Sequence, residues 1–299
     1  MTEARLFSFG HGYSAQALAQ RLIAKGWTVF GTTRHAEKAA AIAATGVQPV
    51  CLETDPIPAE LGQATHLLIS AAPDVTRDHD VDPMLRDYRE ALIEAAPNLQ
   101  WVGYLSTTGV YGDHGGGWVE EDTPLTPSTT RGSARVRAEE EWQRFAQDLG
   151  LNLSVFRLAG IYGPGRGPFA KVRAGTARRI IKTDQVFSRI HVEDIAQVLE
   201  ASMERPEDSG IYNVCDDLAA PPEDVIGYAA ELLGLPIPPA EDFDTAEMSP
   251  MARSFYGESK KVRNDRMKQN LGIELIYPDY KSGLKALLAQ DQGLISKDQ

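Results

Sequence analysis

The chain has 299 residues, of which 42% are hydrophobic, and this length suffices to bury a substantial core in one large α/β domain or in two closely joined lobes. Its 30 basic and 42 acidic side chains give a net charge of -12, which argues against general affinity for nucleic acid or anionic membranes. No apolar run approaches the roughly 20 residues of a membrane span and no signal peptide is evident, so we expect a cytoplasmic protein.

The amino-terminal segment carries a motif with a defined physical role. The apolar run Arg5–Phe9 ends in Gly10-x-Gly12-x-x-Ala15 and passes directly into apolar residues at helical spacing, which predicts a strand, a phosphate-binding loop and a helix. Gly10 permits a sharp turn, Gly12 permits the backbone to approach a pyrophosphate, and the small Ala15 permits close helix packing. We therefore predict a dinucleotide site, with a plain strand-to-helix turn as the alternative. The predicted contacts are Gly10, His11, Gly12, Tyr13, Ser14 and Ala15.

The end of the second predicted strand bears on the choice of cofactor. Trp27–Phe30 is predicted to be this strand, and the residues that follow offer Thr32, Thr33 and Arg34. Thr33 and Arg34 are predicted cofactor contacts. An acid at this place would accept hydrogen bonds from the ribose 2′-hydroxyl of NAD. Arg34 can instead pair with the 2′-phosphate of NADP, with Lys38 one turn further on. We predict a preference for NADP, with NAD as the other cofactor. The alternative for Arg34 is a solvent-exposed arginine.

Strands and helices continue to alternate through the first half of the chain. The predicted elements are a helix over Ala36–Thr45, strands over Val47–Leu52 and His66–Ser70, a helix from Asp82 towards Ala96, a strand over Trp101–Leu105, a helix over Gly132–Leu149 and a strand over Leu153–Leu158. This order predicts a doubly wound parallel sheet that is complete at Leu158. Ala71, Ala72 and Pro73 follow a strand at the ligand-binding carboxyl edge and join the predicted cofactor contacts. The loop 112–127, rich in glycine, proline and acids, is expected to form one wall of the site.

After Tyr162 the predicted elements become shorter, which indicates a second, smaller lobe. They are Gln185–Ile190, a helix from Val192, Ile211–Val214, a helix over Pro221–Gly234, and closing helices over Ser259–Leu271 and Asp279–Leu288. We assign residues 1–165 to a dinucleotide-binding domain, to which the chain returns at about 186–215. Residues 166–299 are assigned mainly to a substrate lobe.

Neither the histidines nor the cysteines have the spacing of a metal site. The scattered histidines are His11, His35, His66, His79 and His114. Cys51 and Cys215 lie in or beside apolar runs, and we predict that both are core residues. We therefore expect no bound metal.

Five motifs occur in order along the chain. They are Gly10-His-Gly-Tyr-Ser-Ala, Ser106-Thr-Thr-Gly-Val-Tyr-Gly, Phe156-Arg-Leu-Ala-Gly-Ile-Tyr-Gly-Pro-Gly, Ser188-Arg-Ile-His-Val-Glu-Asp-Ile-Ala and Tyr212-Asn-Val. Together they resemble the extended branch of the short-chain dehydrogenase/reductase superfamily, whose members include nucleotide-sugar epimerases and dehydratases. The resemblance spans nearly the whole chain. It implies an α/β fold with a Rossmann-type doubly wound parallel sheet and a small C-terminal α+β substrate lobe over the nicotinamide end.

The chain departs from this family's pattern at two places. The family usually spaces its glycines as G-x-x-G-x-x-G, whereas Phe9 stands at the first position here, which resembles an atypical subgroup. The family's Tyr-x-x-x-Lys pair is missing, and alignment on Glu139 places the tyrosine position at Arg131 and the lysine position at Arg135. The family's Ser or Thr, four residues before the tyrosine of the Val-Tyr-Gly turn, falls on Thr107.

Thr107, Arg131 and Arg135 are the predicted catalytic positions. Arginine stays charged and cannot replace a tyrosine that moves the hydroxyl proton as hydride moves. Its planar fork can bind a carboxylate or phosphate, so Arg131 is a candidate anion contact and Arg135 a candidate contact for the nicotinamide ribose. The alternative is a solvated helix face on which Arg135 pairs with Glu139. Thr107 either binds a substrate oxygen or satisfies the backbone of a tight turn.

Three other side chains could supply a proton donor: Tyr111, Tyr162 and His191. For each, a packing role or a structural hydrogen bond is the favoured alternative. We predict an NAD(P)-binding oxidoreductase-like protein that prefers NADP and acts on a polar small molecule, with Arg131 favouring an anionic one. The alternatives are a nucleotide-sugar epimerase or dehydratase, and a non-catalytic sensor of the NADPH/NADP ratio. A homodimer is a further expectation, because members of the extended family often dimerise through helices beside the sheet.

Overall fold

The computed structural model describes residues 4–55, 57–75 and 82–293. The strands are β1 (Arg5–Phe9), β2 (Thr28–Thr33), β3 (Gln48–Cys51), β4 (His66–Ile69), β5 (Trp101–Thr107), β6 (Trp118–Val119), β7 (Leu153–Leu158), β8 (Gly160–Tyr162), β9 (Arg179–Ile181), β10 (Arg189–His191), β11 (Ile211–Val214), β12 (Ala240–Asp242) and β13 (Lys261–Val262). The helices are α1 (Tyr13–Ala24), α2 (Ala39–Ala43), α3 (Ile57–Leu61), α4 (Pro83–Ala95), α5 (Thr130–Leu149), α6 (Phe169–Arg173), α7 (Val192–Met203), α8 (Pro222–Leu233), α9 (Pro250–Phe255), α10 (Asp265–Leu271) and α11 (Tyr280–Asp291).

Among these residues, seven parallel strands form the central sheet in the order β11-β7-β5-β4-β1-β2-β3. The chain runs outward from β1 to β3 and then continues at β4, on the other side of β1. The direction of winding therefore reverses between β1 and β4. This is the predicted Rossmann-type doubly wound sheet, and the reversal opens a crevice at the carboxyl ends of these two strands.

The far edge of the sheet differs from the prediction. Strand β11 pairs in parallel with β7, from Ile211 opposite Val155 to Val214 opposite Leu158. The prediction that the sheet is complete at Leu158 is therefore wrong. Without β11, the outer side of β7 would present unpaired backbone N–H and C=O groups, and a four-residue strand carries no local signal for which edge it will join.

Helices cover both faces of the sheet. The consecutive residues Leu6 and Phe7 of β1 enter separate cores, as expected for a strand buried on both faces. The core under α1 and α7 includes Leu18, Leu22, Phe156, Ile195 and Leu199. The core under α4 and α5 includes Leu92, Tyr104, Trp142 and Phe145. Cys51 and Cys215 are buried free thiols, which confirms their predicted place in the core.

Residues beyond β7 also build a smaller set of elements. Strands β8 and β10 pair in parallel, as do β9 and β12, and α6, α8 and α11 contribute to a separate apolar core. This core includes Tyr162, Phe169, Ala229, Ala230 and Leu284. It corresponds to the place of the predicted substrate lobe, whose boundaries remain a prediction.

Two predicted helices are shorter than expected. Ala36–Thr45 contains a 3₁₀ turn at Ala36–Lys38 followed by the five-residue α2, in which only Ile42 is buried. Alanine propensity alone does not sustain a helix with so little apolar surface to bury. Within Ser259–Leu271, residues Lys261 and Val262 form β13, which pairs with β6 from the loop 112–127, and the helix begins only at Asp265.

Candidate active site at the carboxyl edge of the sheet

The loop after β1 is closed tightly against the segment that follows β4. Gly10 has a φ of +81°, and a Cβ atom there would lie 2.6 Å from the backbone nitrogen of Ala71. The Ala71 N–H donates to the carbonyl oxygen of Phe9 at 3.2 Å. Only glycine fits this position, for conformational and steric reasons together. The predicted contacts Gly10 and Ala71 are therefore adjacent, whereas Ala72 is exposed and Pro73 is buried.

The same loop is held by β2 through Thr32. The Gly10 N–H donates to the Thr32 hydroxyl oxygen at 2.7 Å, and the His11 N–H donates to the Thr32 carbonyl oxygen at 3.1 Å. Thr32 is only 3% exposed. Sequence reasoning named Thr32 as one of the residues at the end of the strand but missed its role in positioning the loop, for which the only signal was a hydroxyl residue two positions before Arg34.

Gly12 leaves open space above the loop. A Cβ built there would meet only the carbonyl oxygen of Gly10, at 3.7 Å. Gly12 caps α1 without a side chain, and the first N–H groups of a helix have no partner within it. Ser14 and Ala15 are buried in the first turn of α1, with Ala15 facing the core as predicted. The loop thus has the room and the donors that fit a diphosphate group.

His11 is packed beneath the loop. A Cβ on Gly31 of β2 would lie 2.7 Å from the His11 Cγ atom, so the absence of a side chain at Gly31 makes room for the imidazole. The His11 Nδ1 atom lies 3.2 Å from the Ser8 hydroxyl, and the buried Nε2 atom has no partner among the described residues. Burial lowers the pKa of His11 to about 4, so the ring is neutral near pH 7.

Of three further predicted cofactor contacts, Tyr13 and Thr33 have hydrogen-bond partners in the protein and Arg34 has none within the described residues. Tyr13 donates its hydroxyl hydrogen to the Pro164 carbonyl oxygen at 2.9 Å, and burial raises its pKa to about 12. At the end of β2, the Thr33 hydroxyl forms 3.3 Å hydrogen bonds with the backbone of His35. Arg34 is exposed and has no partner within the described part of the chain.

Thr107 lies at the carboxyl end of β5. Its hydroxyl oxygen accepts a 3.1 Å hydrogen bond from the Gly109 N–H and caps the 3₁₀ turn Thr108–Tyr111. The side chain is half-buried. The hydroxyl hydrogen has no acceptor within residues 4–55, 57–75 and 82–293, so the turn-capping role leaves one donor for a ligand.

Arg135 reaches from α5 to the end of β5. Its Nη1 atom donates to the Leu105 carbonyl oxygen at 2.6 Å and to the Tyr104 hydroxyl oxygen at 3.0 Å. Its guanidinium carbon also lies 5.5 Å from the centroid of the Tyr104 ring. The predicted alternative of an Arg135–Glu139 pair is wrong, because Glu139 is buried and binds Arg157 at 2.8 Å instead. Arg135 thus keeps its Nε and Nη2 hydrogens without partners in the described residues.

Arg131 is exposed in the first turn of α5. The helix starts at Thr130 because the Thr129 hydroxyl oxygen accepts a 3.0 Å hydrogen bond from the Gly132 N–H. Arg131 forms no hydrogen bond or ion pair through its side chain among the residues that the structure describes. No direct contact joins Arg131 to Thr107, although both stand at the same edge of the sheet.

A buried polar network lies behind α5 and β5. Glu139, 1% exposed, binds the guanidinium of Arg157 and accepts a hydrogen bond from the Ser106 hydroxyl. Arg157 Nη1 also donates to the Tyr111 hydroxyl oxygen at 2.9 Å, and Tyr111 donates to the Asn213 side chain at 2.7 Å. Sequence reasoning used Glu139 as an alignment anchor and missed its partner. Sequence spacing does not reveal such a pairing between a helix and a neighbouring strand.

The three other candidate proton donors have structural partners, which confirms the favoured alternative. Tyr111 is buried in the network just described, and burial raises its pKa to about 12. The Tyr162 hydroxyl donates to the Asp279 carbonyl oxygen at 3.3 Å. His191 caps α7 by accepting a 3.3 Å hydrogen bond on Nδ1 from the Glu193 N–H.

Within the described ranges, no group of three histidine, cysteine, aspartate or glutamate residues could hold a metal ion. The predicted histidine His79 lies outside the described residues. None of the helices in those ranges is long and apolar enough to cross a membrane.

Comparison with known proteins agrees with the fold and the loop. The chain matches the NAD dependent epimerase/dehydratase family over residues 10–215. Protein YeeZ of Escherichia coli (strain K12) is 28% identical over 279 residues, covering 90% of this chain and 95% of that protein. A functionally unknown conserved protein from Silicibacter pomeroyi is 56% identical with a TM-score of 0.90, covering 96% of this chain and 99% of that one.

A more distant structure shares the fold. The UDP-glucuronic acid 4-epimerase of Bacillus cereus, solved in complex with UDP-glucuronic acid and NAD, is 17% identical, with a TM-score of 0.75. The alignment covers 97% of this chain and 100% of that chain. The resemblance to extended short-chain dehydrogenases/reductases is confirmed. Because the family match extends from the glycine loop through the last strand of the central sheet, the chain belongs to the NAD dependent epimerase/dehydratase family.

Proposed function

We propose that the protein binds a nicotinamide dinucleotide at the loop Gly10–Ala15 and acts as an oxidoreductase-like protein on a polar, anionic small molecule. The observation that carries this proposal is the open space at Gly12, between the uncapped start of α1 and the crevice where winding reverses. Membership of the NAD dependent epimerase/dehydratase family supports it, as does the NAD bound to the Bacillus cereus neighbour.

The bound dinucleotide would supply the hydride chemistry, and this chain would supply binding and orientation. The backbone N–H groups of Tyr13, Ser14 and Ala15 would hold the diphosphate, since the Gly12 N–H donates to the Gly10 carbonyl oxygen at 2.7 Å. Thr107 and Arg135, at the end of β5, would each offer free hydrogens to the ribose or the substrate. Neither is a proton donor of the tyrosine type.

The cofactor preference follows from the end of β2. Arg34 is exposed and unpaired in the described part of the chain, and no acid occurs from Thr28 to Arg34. A guanidinium at this place can pair with the 2′-phosphate of NADP, whereas NAD would gain only a hydroxyl contact. We therefore propose NADP as the preferred cofactor, with NAD as the alternative.

The substrate class follows from Arg131. This exposed cation stands one helical turn before Arg135, at the position that alignment on Glu139 assigns to the family tyrosine. It would bind a carboxylate or phosphate rather than exchange a proton. A nucleotide-sugar epimerase or dehydratase is the alternative supported by the family match and by the UDP-glucuronic acid in the Bacillus cereus neighbour. The missing Tyr-x-x-x-Lys pair counts against this alternative.

A second candidate function is a non-catalytic sensor of the NADPH/NADP ratio. The observation in its favour is that the candidate proton donors are already engaged in structural hydrogen bonds; they are Tyr111, Tyr162 and His191. The Nη1 atom of Arg135 likewise donates to the Leu105 carbonyl oxygen and the Tyr104 hydroxyl oxygen. Such a protein would keep the dinucleotide loop without a proton donor.

Three further proposals come from the sequence: location in the cytoplasm, formation of a homodimer, and the boundaries of the two lobes.

Calorimetry with NADPH tests the binding proposal. A side chain at Gly12 would occupy the space needed by the diphosphate, so Gly12→Val should abolish NADPH binding while circular dichroism shows a folded protein. Unchanged affinity in the folded variant would mean that the loop is only a turn. Oxidation of NADPH with a panel of carbonyl compounds separates the enzyme from the sensor, because only the enzyme turns over.

A further inference from the structure

The side chain of Tyr13 joins the glycine loop to a turn in a distant part of the chain. Tyr13 is the first residue of α1, and its hydroxyl donates to the Pro164 carbonyl oxygen at 2.9 Å. A Cβ on Gly163 would lie 2.5 Å from the Tyr13 hydroxyl oxygen. The phenol therefore sits directly against the turn Gly163–Arg166, where a glycine leaves room for it.

This turn places Arg166 beside the loop. Gly163 and Arg166 exchange two backbone hydrogen bonds of 2.9 Å, which hold the backbone of Arg166 in a tight turn between β8 and α6. The guanidinium carbon of Arg166 lies 5.7 Å from the centroid of the Tyr13 ring, within the range of a cation–π contact. The Arg166 guanidinium therefore lies against the aromatic ring of Tyr13, the residue that begins α1.

The charge of Arg166 is not neutralised by a direct ion pair within the described residues. Arg166 is exposed and has no carboxylate partner among the residues that the structure describes. By contrast, the exposed Arg173 in the adjacent α6 pairs with Asp291 at 3.0 Å. The first turn of α1 contains no acidic residue. Besides burial, the nearby Glu193 carboxylate raises the pKa of Tyr13, but within the described part of the chain it forms no ion pair with Arg166. The positive end of the helix and the guanidinium therefore lie in one neighbourhood without a direct ion pair to a carboxylate there. In a chain with a net charge of -12, this arrangement favours an anionic ligand.

We propose that Arg166, supported by the ring of Tyr13, is an ionic contact of the diphosphate of the bound dinucleotide. The inference rests on the proposed dinucleotide site and adds a residue from beyond the glycine motif. In this arrangement the loop is held from β2 through Thr32, while the turn Gly163–Arg166 brings the cation from the other part of the chain.

Calorimetric titration with NADPH, without any substrate, tests the contact. Arg166→Ala should weaken NADPH binding about tenfold at low ionic strength, and the loss should shrink in about 1 M salt, where charges are screened beyond about 3 Å. Arg166→Lys should recover part of the affinity. Arg144→Ala is the matched control, since it removes an exposed arginine of α5 that pairs with Glu140, and it should leave NADPH affinity unchanged.

A double-mutant cycle checks the role of the aromatic ring. Tyr13→Phe keeps the ring and should retain most of the Arg166 effect, whereas in a Tyr13→Ala background the change Arg166→Ala should cost less than in the unmutated protein. Fully additive losses of NADPH affinity would overturn the pairing of Arg166 with the Tyr13 ring.

Equal NADPH affinity for Arg166→Ala and the unmutated protein would overturn the inference alone, provided that Gly12→Val still abolishes binding. If Arg166→Ala weakens only the binding of inorganic phosphate to the NADPH-loaded protein, Arg166 belongs to the substrate site, and the inference of a diphosphate contact is likewise overturned. Absence of NADPH binding to the unmutated protein would overturn the proposed function as well.

Discussion

Single atoms decide whether the loop after β1 can bind a ligand. The hydroxyl oxygen of Thr32 is the acceptor for the Gly10 N–H, and Gly10 itself touches the backbone of Ala71. Because the loop is held from both neighbouring strands, its N–H groups are fixed before any ligand arrives. Preorganisation of this kind lowers the entropy cost of binding.

Thr32→Val should weaken dinucleotide binding by about tenfold. Valine has nearly the shape of threonine but leaves the Gly10 N–H without an acceptor, which costs about 1–3 kcal/mol and loosens the loop. Calorimetry with NADPH and urea unfolding measure the two effects. Thr32→Ser should restore both, and Thr45→Val is the control because the Thr45 hydroxyl donates to the Ile42 carbonyl oxygen at 2.6 Å, away from the loop. Unaltered affinity in Thr32→Val would show that this hydrogen bond does not position the loop.

Arg34→Glu should reverse the cofactor preference. In the unmutated protein we expect NADPH to bind at least tenfold more tightly than NADH, because a charge-assisted pair with the 2′-phosphate is available. A carboxylate at this position would repel that phosphate and accept hydrogen bonds from the ribose hydroxyl of NADH. Parallel titrations with both dinucleotides measure the preference. Equal affinities in the unmutated protein would contradict the assignment.

At the scale of the elements, α5 presents two arginines with different environments. Arg135 is tied to the end of β5, whereas Arg131 is exposed one turn earlier. The next turn of the helix is anchored to the central sheet, because Glu139 forms a buried ion pair with Arg157 of β7. The helix is therefore a rigid support on which Arg131 can reach outward and Arg135 cannot move far.

Arg131→Ala should weaken binding of a carboxylate or phosphate ligand to the NADPH-loaded protein by roughly tenfold to a hundredfold. NADPH affinity should stay unchanged, because the proposed anion site lies beyond the dinucleotide. Titration of inorganic phosphate into the loaded protein, with and without added salt, measures the effect. Arg144→Ala on the same helix is the control. A cofactor-bound structure with Arg131 directed away from the nicotinamide would remove the basis for this site and favour the sensor.

At the scale of the whole molecule, buried histidines and buried aspartates have opposite effects on how the stability of the fold changes with pH. Burial lowers the pKa of His11, His66 and His191 from 6.5 to about 4. Burial raises the pKa of Asp82 and Asp194 to about 6. The histidines destabilise the fold as the pH falls below 6.5, and the aspartates destabilise it as the pH rises towards 6. Between about pH 4 and pH 6, the contributions of these five groups to the pH dependence of stability therefore partly cancel.

His191→Asn isolates one of these contributions. The unfolded chain protonates His191 below about pH 6.5, whereas the folded protein does so only near pH 4, so its stabilising contribution is complete above pH 6.5 and lost as the pH falls towards 4. Relative to the variant, the unmutated protein should lose up to about 1.4 kcal/mol of unfolding free energy per pH unit in this window. Asparagine can still cap α7, since its side-chain oxygen can accept the Glu193 N–H. Urea unfolding of both proteins from pH 7 to pH 4 measures the difference, and parallel curves would refute the assignment.

Local patterns in the sequence determined the loop and most of the sheet. A glycine required by a positive φ, as at Gly10, and an uninterrupted apolar strand such as β4 are properties of a few consecutive residues. The start of α5 after Thr129 and the end of α8 before Gly234 follow equally local capping rules. The alternation of these elements was enough to predict a doubly wound parallel sheet, and the family resemblance implied its Rossmann type.

Only the tertiary structure decided which distant groups meet. The pairing of Glu139 with Arg157, the attachment of Thr32 to Gly10 and the contact of Tyr13 with Pro164 each join residues on different elements. The addition of β11 beside β7 is of the same kind. Hydrogen bonds and ion pairs of this sort depend on distances in space that periodicity along the chain does not encode, so the sequence predicted the glycine loop and the central sheet but not the contacts between elements that hold them together.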